Sequence, residues 1–172
     1  MIMINRIILV AVSLVILTGC SGMKSVSKAL GHKAVYTELF IEAEPEEIWA
    51  VITDADNYPR WNAVIVEAKG EYALGSKIRN AVAEPGKKPA KITSVVEVYD
   101  PPYHLNQFGG YMGIITFDHH YELERVDGGT KVKQWEDYTG IYVHFWDASW
   151  VEPAYQGVNE ALRLEVLRRR EE

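Results

Sequence analysis

The first pattern in the chain is an apolar run near its start. Residues 7–17 are hydrophobic apart from Ser13, and they follow the polar pair Asn5-Arg6. A membrane-spanning helix needs about 20 apolar residues, so this run is too short to cross a bilayer as a helix. A basic start, a short apolar centre and a small-residue exit are typical of a secretory signal peptide. We therefore assign residues 1–19 to a signal segment and exclude them from the fold.

The segment after this run has no clear period. Residues 21–31 are mostly small and polar, which predicts a short tether. Alternation typical of a strand begins at Lys33 and continues to Ile41. The sequence thus predicts a signal segment (1–19), Cys20 with a tether (20–32) and one domain (33–172).

Helical and strand-like patterns then alternate along the domain. Pro45 and two acidic residues open a helix that continues through Ile52, and residues 54–62 predict a turn or short second helix. Strands are predicted at 77–82, 90–99, 103–108, 114–126 and 130–140. Apolar residues at helical spacing then predict a long helix over 150–170. This order predicts an α+β domain with an antiparallel sheet.

Composition and charge narrow the possible functions. The 172 residues include 24 acidic and 18 basic side chains, for a net charge of -6, which argues against nucleic-acid binding. A single cysteine excludes an intramolecular disulfide and a multi-thiolate zinc site. We find no fingerprint for a dinucleotide, a phosphate loop or a serine hydrolase, and therefore predict no cofactor.

The cysteine itself has an informative setting. Leu17-Thr18-Gly19-Cys20 resembles the lipobox of bacterial lipoprotein signal peptides, in which the chain is cut before the cysteine and the cysteine is acylated. The alternatives are a buried structural cysteine or an uncleaved N-terminal anchor. Acylated Cys20 would hold the protein to a membrane. Ser21 resembles the sorting context of outer-membrane lipoproteins, so the expected location is the bacterial envelope, at the periplasmic face of the outer membrane.

A second resemblance covers the domain. Residues 41–54 with Tyr58-Pro59-Arg60-Trp61-Asn62 resemble the opening of START-like proteins, the polyketide cyclase/dehydrase and lipid-transport superfamily. Further matches follow in order at Gly70 and Gly75, 96–101, 119–123, 128–130 and 134–140, so that the similarity spans roughly Lys33 to Glu165. The resemblance implies a helix-grip fold, in which a curved antiparallel sheet wraps a long C-terminal helix and two short helices close one end. It also implies a cavity for a hydrophobic small molecule or lipid between sheet and helix.

Strand alternation selects the candidate residues of this cavity. Phe117, His119 and Tyr121 share one face of their strand, and Gln134, Glu136 and Tyr138 share the corresponding face of the next strand. A histidine beside a carboxylate in a dry pocket can act as an acid/base pair, since burial raises the carboxyl pKa and a nearby anion raises that of histidine. Alternatively, these polar groups orient a ligand or specify the core. Asp118 and His120 point to the other face, which argues against a metal site in the Asp118-His119-His120 run.

Other candidates lie near the ends of the sheet. Arg79 can hold a ligand carboxylate if it points inward, and is otherwise half exposed. His104, Asn106 and Gln107 either line the far end of the cavity or form an edge. Five aromatic residues near the open end of the sheet either form an apolar lip or pack in the core: Tyr111, Trp135, Tyr142, Phe145 and Trp146.

Three functions compete at this point. The first is a membrane-anchored binding protein that holds or passes an apolar or amphipathic small molecule. The second is a cyclase, dehydratase or hydrolase that uses His119, Glu136 and Tyr121 as acid/base groups. The third is an envelope interaction protein whose cavity is collapsed by large side chains. The sequence identifies no protein partner.

Overall fold

A single antiparallel sheet forms most of the molecule. The computed structural model describes residues 19–172, so residues 1–18 of the predicted signal segment lie outside the described residues. Seven strands pair in the order β1-β7-β6-β5-β4-β3-β2. Their bounds are β1 His32–Ile41, β2 Ile65–Lys69, β3 Lys77–Val82, β4 Ala90–Asp100, β5 His104–Tyr111, β6 Ile115–Val126 and β7 Gly129–Thr139.

The helices frame this sheet. They are α1 Gly19–Leu30, α2 Pro45–Ile52, α3 Tyr58–Trp61 and α4 Val151–Arg169, with 3-10 turns at Ala55–Asn57 and Ile141–His144. The sheet curls into a half-barrel around α4, which also contacts α2 and α3, and the predicted α+β helix-grip fold is confirmed. A bulge in β4 between Val96 and Val98 adds local bend to the sheet. No helix within residues 19–172 is long and apolar enough to span a bilayer.

One end of the half-barrel is closed by a packed core. Glu44, the N-cap residue, and Glu47 form a capping box at the start of α2, with Pro45 as the first helical residue. From this helix Ile48, Val51 and Ile52 are fully buried, as is Leu162 in the second half of α4. Ion pairs join the same elements, because Arg170 at the end of α4 binds both carboxylate oxygens of Glu47 at 2.6 Å. This end of the interior is therefore filled, and any ligand space lies toward the start of α4.

The structure differs from the sequence-based expectation in residues 21–31. In place of a tether, residues 19–30 form α1, which lies on the outer face of the sheet. Ser27 accepts a hydrogen bond from Thr139 at 2.8 Å, and Lys24 binds Glu97 at 2.5 Å. A 12-residue helix is marginal alone, so these tertiary contacts explain why local sequence did not reveal it.

Candidate functional site

A cavity of about 640 Å³ lies between the first half of α4 and strands β2 to β7. This volume is within the range of small-molecule sites. Its apolar walls include Val64, Ile65, Val82, Ile92, Ile115 and Phe117. The cavity contradicts the alternative of an interior collapsed by large side chains.

The alternation of β6 and β7 places polar side chains in this cavity. His119 and Glu136 are opposite each other in the β6–β7 register, and both are buried and line the cavity. Phe117 and Tyr138 line it as well, from the same faces of the two strands. The predicted inward faces of these strands are therefore confirmed.

Glu136 is held by two tyrosines. Its Oε2 accepts hydrogen bonds from the hydroxyls of Tyr138, two residues along β7, and Tyr155, from the first turns of α4. Burial raises the pKa of the Glu136 carboxyl to about 7, while the two tyrosine hydrogen bonds act in the opposite direction. A carboxyl with this pKa can exist protonated or ionised near neutral pH.

His119 has a different environment from the one that the sequence suggested. The amide nitrogen of Gln134 lies 3.0 Å from Nε2 of His119 and donates to it, and the rings of Tyr121 and Tyr155 meet the imidazole edge-on. Burial, together with the charge of His120, lowers the pKa of His119 to about 3. The predicted increase in its pKa is therefore wrong, because desolvation outweighs the nearby anion. His119 is neutral and serves as a hydrogen-bonding group.

The other predicted ligand residues lie in two places. Tyr121 and Gln134 are buried but do not line the cavity. Both contact the side chain of His119, which does line it. Arg79 is exposed, and its neighbour Asn80 occupies the inward position on β3. The prediction that Arg79 faces the ligand is therefore wrong by one position in the strand alternation.

Part of the polar sequence around His119 belongs to the outer face of the sheet. There Asn106 binds Asp118 at 2.5 Å, and His104 lies 3.0 Å from His120. The ring of Trp135 stacks on His120 with centroids 4.5 Å apart, which accounts for an aromatic residue on that face. Within residues 19–172, no three His, Cys, Asp or Glu side chains are grouped to hold a metal ion.

The structure adds residues that the sequence reasoning missed. Tyr155 lies in the helix predicted over 150–170, where nothing local marks it as a site residue, and its hydroxyl reaches Glu136. A polar row crosses the β3–β5 wall, where Ser94 accepts from Asn80 at 3.3 Å and donates to Gln107 at 2.9 Å. The sequence does contain a signal for Asn80, because it is a polar residue at an inward-facing position of β3.

The open end of the cavity is aromatic. Tyr111, Tyr142 and Trp146 of the predicted apolar lip line the cavity, and Phe145 beside them is 78% exposed. Trp135 is the exception, since it lies on the outer face against His120. Cys20 is the second residue of α1, and its acylation stays a prediction.

The family of the chain follows from sequence comparison. Residues 32–166 match the family described as polyketide cyclase / dehydrase and lipid transport. The chain belongs to this family. The match covers the sheet, the cavity and most of α4, and so includes every candidate cavity residue. Among curated proteins, none matches this chain in sequence.

Solved structures show the same fold. A Rhodobacter sphaeroides protein superposes with a TM-score of 0.66 at 21% identity, covering 78% of this chain and 92% of that protein. Norcoclaurine synthase from Thalictrum flavum, solved with dopamine and hydroxybenzaldehyde, superposes with a TM-score of 0.63 at 13% identity. The superposition covers 83% of this chain and 91% of the synthase. The di-domain ARO/CYC protein StfQ from the steffimycin biosynthetic pathway gives 0.67 at 10% identity, covering 84% of this chain and 53% of StfQ. At these identities the likeness concerns the fold alone.

Proposed function

We propose that this protein is a lipid-anchored envelope protein that binds a hydrophobic or amphipathic small molecule in its cavity and holds or passes it. The observation that carries the proposal is a cavity of about 640 Å³ with an apolar wall and a buried polar group at Glu136. An apolar wall supplies affinity, and a few placed polar groups supply orientation. The family description, which includes lipid transport, supports the same function.

The polar cluster defines what the ligand carries at its buried end. Neutral His119 and the carboxyl of Glu136 offer both hydrogen-bond donors and acceptors without a fixed charge. A hydroxyl or carbonyl group on an otherwise apolar molecule fits this setting. A permanent charge would have to be desolvated there, which costs several kcal/mol unless it is paired.

The anchoring part of the proposal rests on the Leu17-Thr18-Gly19-Cys20 motif. Acyl chains on Cys20 would tether the domain to the periplasmic face of the outer membrane. Each buried methylene contributes about 0.8 kcal/mol, so several chains suffice for stable attachment. Mass spectrometry of the intact protein from a Gram-negative host tests this part directly.

Native mass spectrometry with lipid extraction tests the ligand. Protein purified under non-denaturing conditions should carry a bound small molecule. Val82→Phe, which adds volume inside the cavity wall, should lose it. The matched control is Val95→Phe, the same change at a β4 position outside the cavity wall, and it should keep the ligand. Empty wild-type protein that also fails to take up apolar probes would refute the binding function.

A second candidate function is catalysis on the bound molecule. The observation that favours it is Glu136, a carboxyl with a pKa of about 7 that lines the cavity directly across the strand pair from His119. Such a pKa suits a group that gives and takes a proton near neutral pH. Norcoclaurine synthase shows that this fold can hold an enzyme, which is an analogy at the level of the fold. Tyr121, the third predicted acid/base group, lies behind His119, and Tyr138 and Tyr155 are nearer to Glu136.

Turnover and binding can be separated. The ligand recovered from the native protein is incubated with wild type and with Glu136→Gln, and its mass and chromatographic retention are followed. Conversion by wild type alone, with equal binding by both, would assign Glu136 as a catalytic residue. An unchanged ligand in both samples would leave the binding function as the activity of the cavity.

A further inference from the structure

Large apolar side chains are exposed around the mouth of the cavity. We define the mouth rim as Leu30, Tyr111, Ile114, Ile141, Tyr142 and Phe145, whose exposures range from 43% to 78%. Hydrogen bonds hold its segments together, because the backbone N of Tyr142 donates to Ile114 O at 2.9 Å and the side-chain Nε2 of His144 donates to Leu30 O at 2.9 Å. A contiguous exposed apolar surface of this kind marks an interaction site.

The rim is continuous with the cavity. Tyr111 and Tyr142 line the cavity and are also exposed on the rim. Whatever covers the rim therefore lies at the opening through which a ligand passes.

The charge around the mouth is positive in an acidic protein. Lys87, Lys88 and Lys91 are exposed and line the opening. Glu84, which pairs with Lys87 at 2.6 Å, is the one acidic side chain among the exposed or half-exposed residues that line the cavity in the described part of the chain. The whole chain has a net charge of -6. Basic side chains beside exposed apolar groups complement a surface of anionic lipid headgroups, where each lysine contributes about 1 kcal/mol.

Helix α1 connects this rim to the predicted anchor. Met23 and Val26 on α1 are 52% and 62% exposed, and with Leu30 they continue the apolar surface toward the start of the helix. Ten helical residues span about 15 Å, so Cys20 lies within about 15 Å of the rim. Because Ser27 and Lys24 fasten α1 to the sheet, the domain cannot turn freely on its anchor.

We propose that the mouth rim docks on an anionic phospholipid bilayer, so that the cavity opens onto the membrane surface and exchanges its ligand there. The predicted acylation of Cys20, the second residue of α1, and the lysines at the mouth favour a bilayer over a protein partner. The inference rests on the proposed function for the ligand and the anchor. Beyond that function, the inference specifies which face of the domain contacts the membrane.

Depth-dependent quenching tests the docking. Full-length protein isolated from bacterial membranes is reconstituted in vesicles of phosphatidylethanolamine and phosphatidylglycerol. A bimane label is placed at Ile114→Cys or Phe145→Cys, neither of which lines the cavity, and nitroxide-labelled lipid is added as quencher. The control positions are Leu74→Cys and Leu164→Cys, also exposed apolar side chains but away from the rim.

We expect several-fold stronger quenching at the two rim positions, and a loss of this difference when phosphatidylcholine replaces phosphatidylglycerol. Equal quenching at all four positions, or no dependence on the anionic lipid, would overturn the proposal.

Two controls separate this inference from the proposed function. Reaction of the bimane dye with wild type reports on Cys20, because an acylated cysteine has no free thiol to react. If Cys20 does react, the anchor is refuted, and the quenching is repeated in a Cys20→Ser background. Transfer of N-phenyl-1-naphthylamine from vesicles should slow several-fold in Ile114→Asp/Phe145→Asp, while its uptake from solution stays unchanged. Unchanged transfer would overturn the docking. Failure of wild type to take up the probe from solution would count against the ligand-binding function instead.

Discussion

The hydroxyl of Tyr155 on α4 donates a hydrogen bond to Oε2 of Glu136 on β7. Tyr138 donates to the same oxygen, so a single carboxyl group ties the helix to the sheet at the wall of the cavity. Because Glu136 is buried and its pKa is raised to about 7, this junction changes its charge near neutral pH. Any ligand that reaches Glu136 therefore contacts a titrating group and the helix–sheet junction together.

Tyr155→Phe should raise the pKa of Glu136 further. The hydrogen bond from Tyr155 stabilises the ionised carboxyl and so lowers its pKa, whereas burial raises it. Without this hydrogen bond, the effect of burial on the pKa is larger. Above pH 7 the variant should lose about 1.5–3 kcal/mol of stability, the range for a hydrogen bond to a charged group. Urea denaturation at pH 8 measures this loss. The control Tyr111→Phe removes a hydroxyl from a 74% exposed ring and should change stability little; an equal loss in both would contradict the role of Tyr155.

Glu136→Gln should alter the dependence of stability on pH. In the unfolded chain this carboxyl titrates near pH 4.5, whereas in the folded protein it titrates at about 7. Between these values the folded state holds a proton that the unfolded state releases, so wild-type stability falls as pH rises through this window. The full effect is on the order of 3 kcal/mol. Relative to wild type, Glu136→Gln should become more stable as pH rises from 4.5 to 7 and then stay constant. A difference that does not vary with pH would show that Glu136 has an ordinary pKa.

His119→Gln should reveal the opposite slope. The pKa of His119 is lowered from 6.5 to about 3, so below pH 6.5 the unfolded chain binds a proton that the folded state excludes. Acid therefore costs wild type stability that the variant does not lose. Denaturation midpoints of the two proteins between pH 4 and 7 should converge as the pH falls. A gap that stays constant across this range would mean that folding does not lower the pKa of His119.

Gly140→Ala should destabilise the end of β7. Gly140 has a φ of +115°, and an added Cβ would lie 2.4 Å from the carbonyl oxygen of Ile114. Strain of this kind costs about 1–3 kcal/mol. The matched control is Gly157→Ala in α4, where a Cβ meets no atom within 4 Å and alanine favours the helix by about 0.5–1 kcal/mol. Opposite shifts in melting temperature are expected, and a stable Gly140→Ala would contradict the tight packing beside the rim.

Much of the fold was predictable from local pattern. The alternation of His119 and Glu136 with their neighbours places them correctly on the inner face, because strand side chains alternate strictly. The turn between β6 and β7 is also encoded locally, since Gly128 supplies its positive φ. These features depend on a few neighbouring residues.

The features that were missed depend on contacts between distant parts of the chain. Helix α1 forms because Lys24 and Ser27 meet residues of the sheet far along the sequence. The pKa of His119 is lowered because burial outweighs Asp118, which no local pattern can quantify. Tyr155 joins Glu136 only because α4 crosses the sheet at that point.

The carboxyl resonance of Glu136 provides the most direct test of a ligand cavity built around this residue. Its pH titration is followed by carbon-13 NMR, with Glu136→Gln used for assignment, in the absence and presence of N-phenyl-1-naphthylamine. The account predicts an apparent pKa of about 7 in the free protein. It also predicts a displaced pKa when the probe fills the cavity, and no displacement in Val82→Phe. A pKa near 4.5, or one that is unaffected by bound probe, would contradict it.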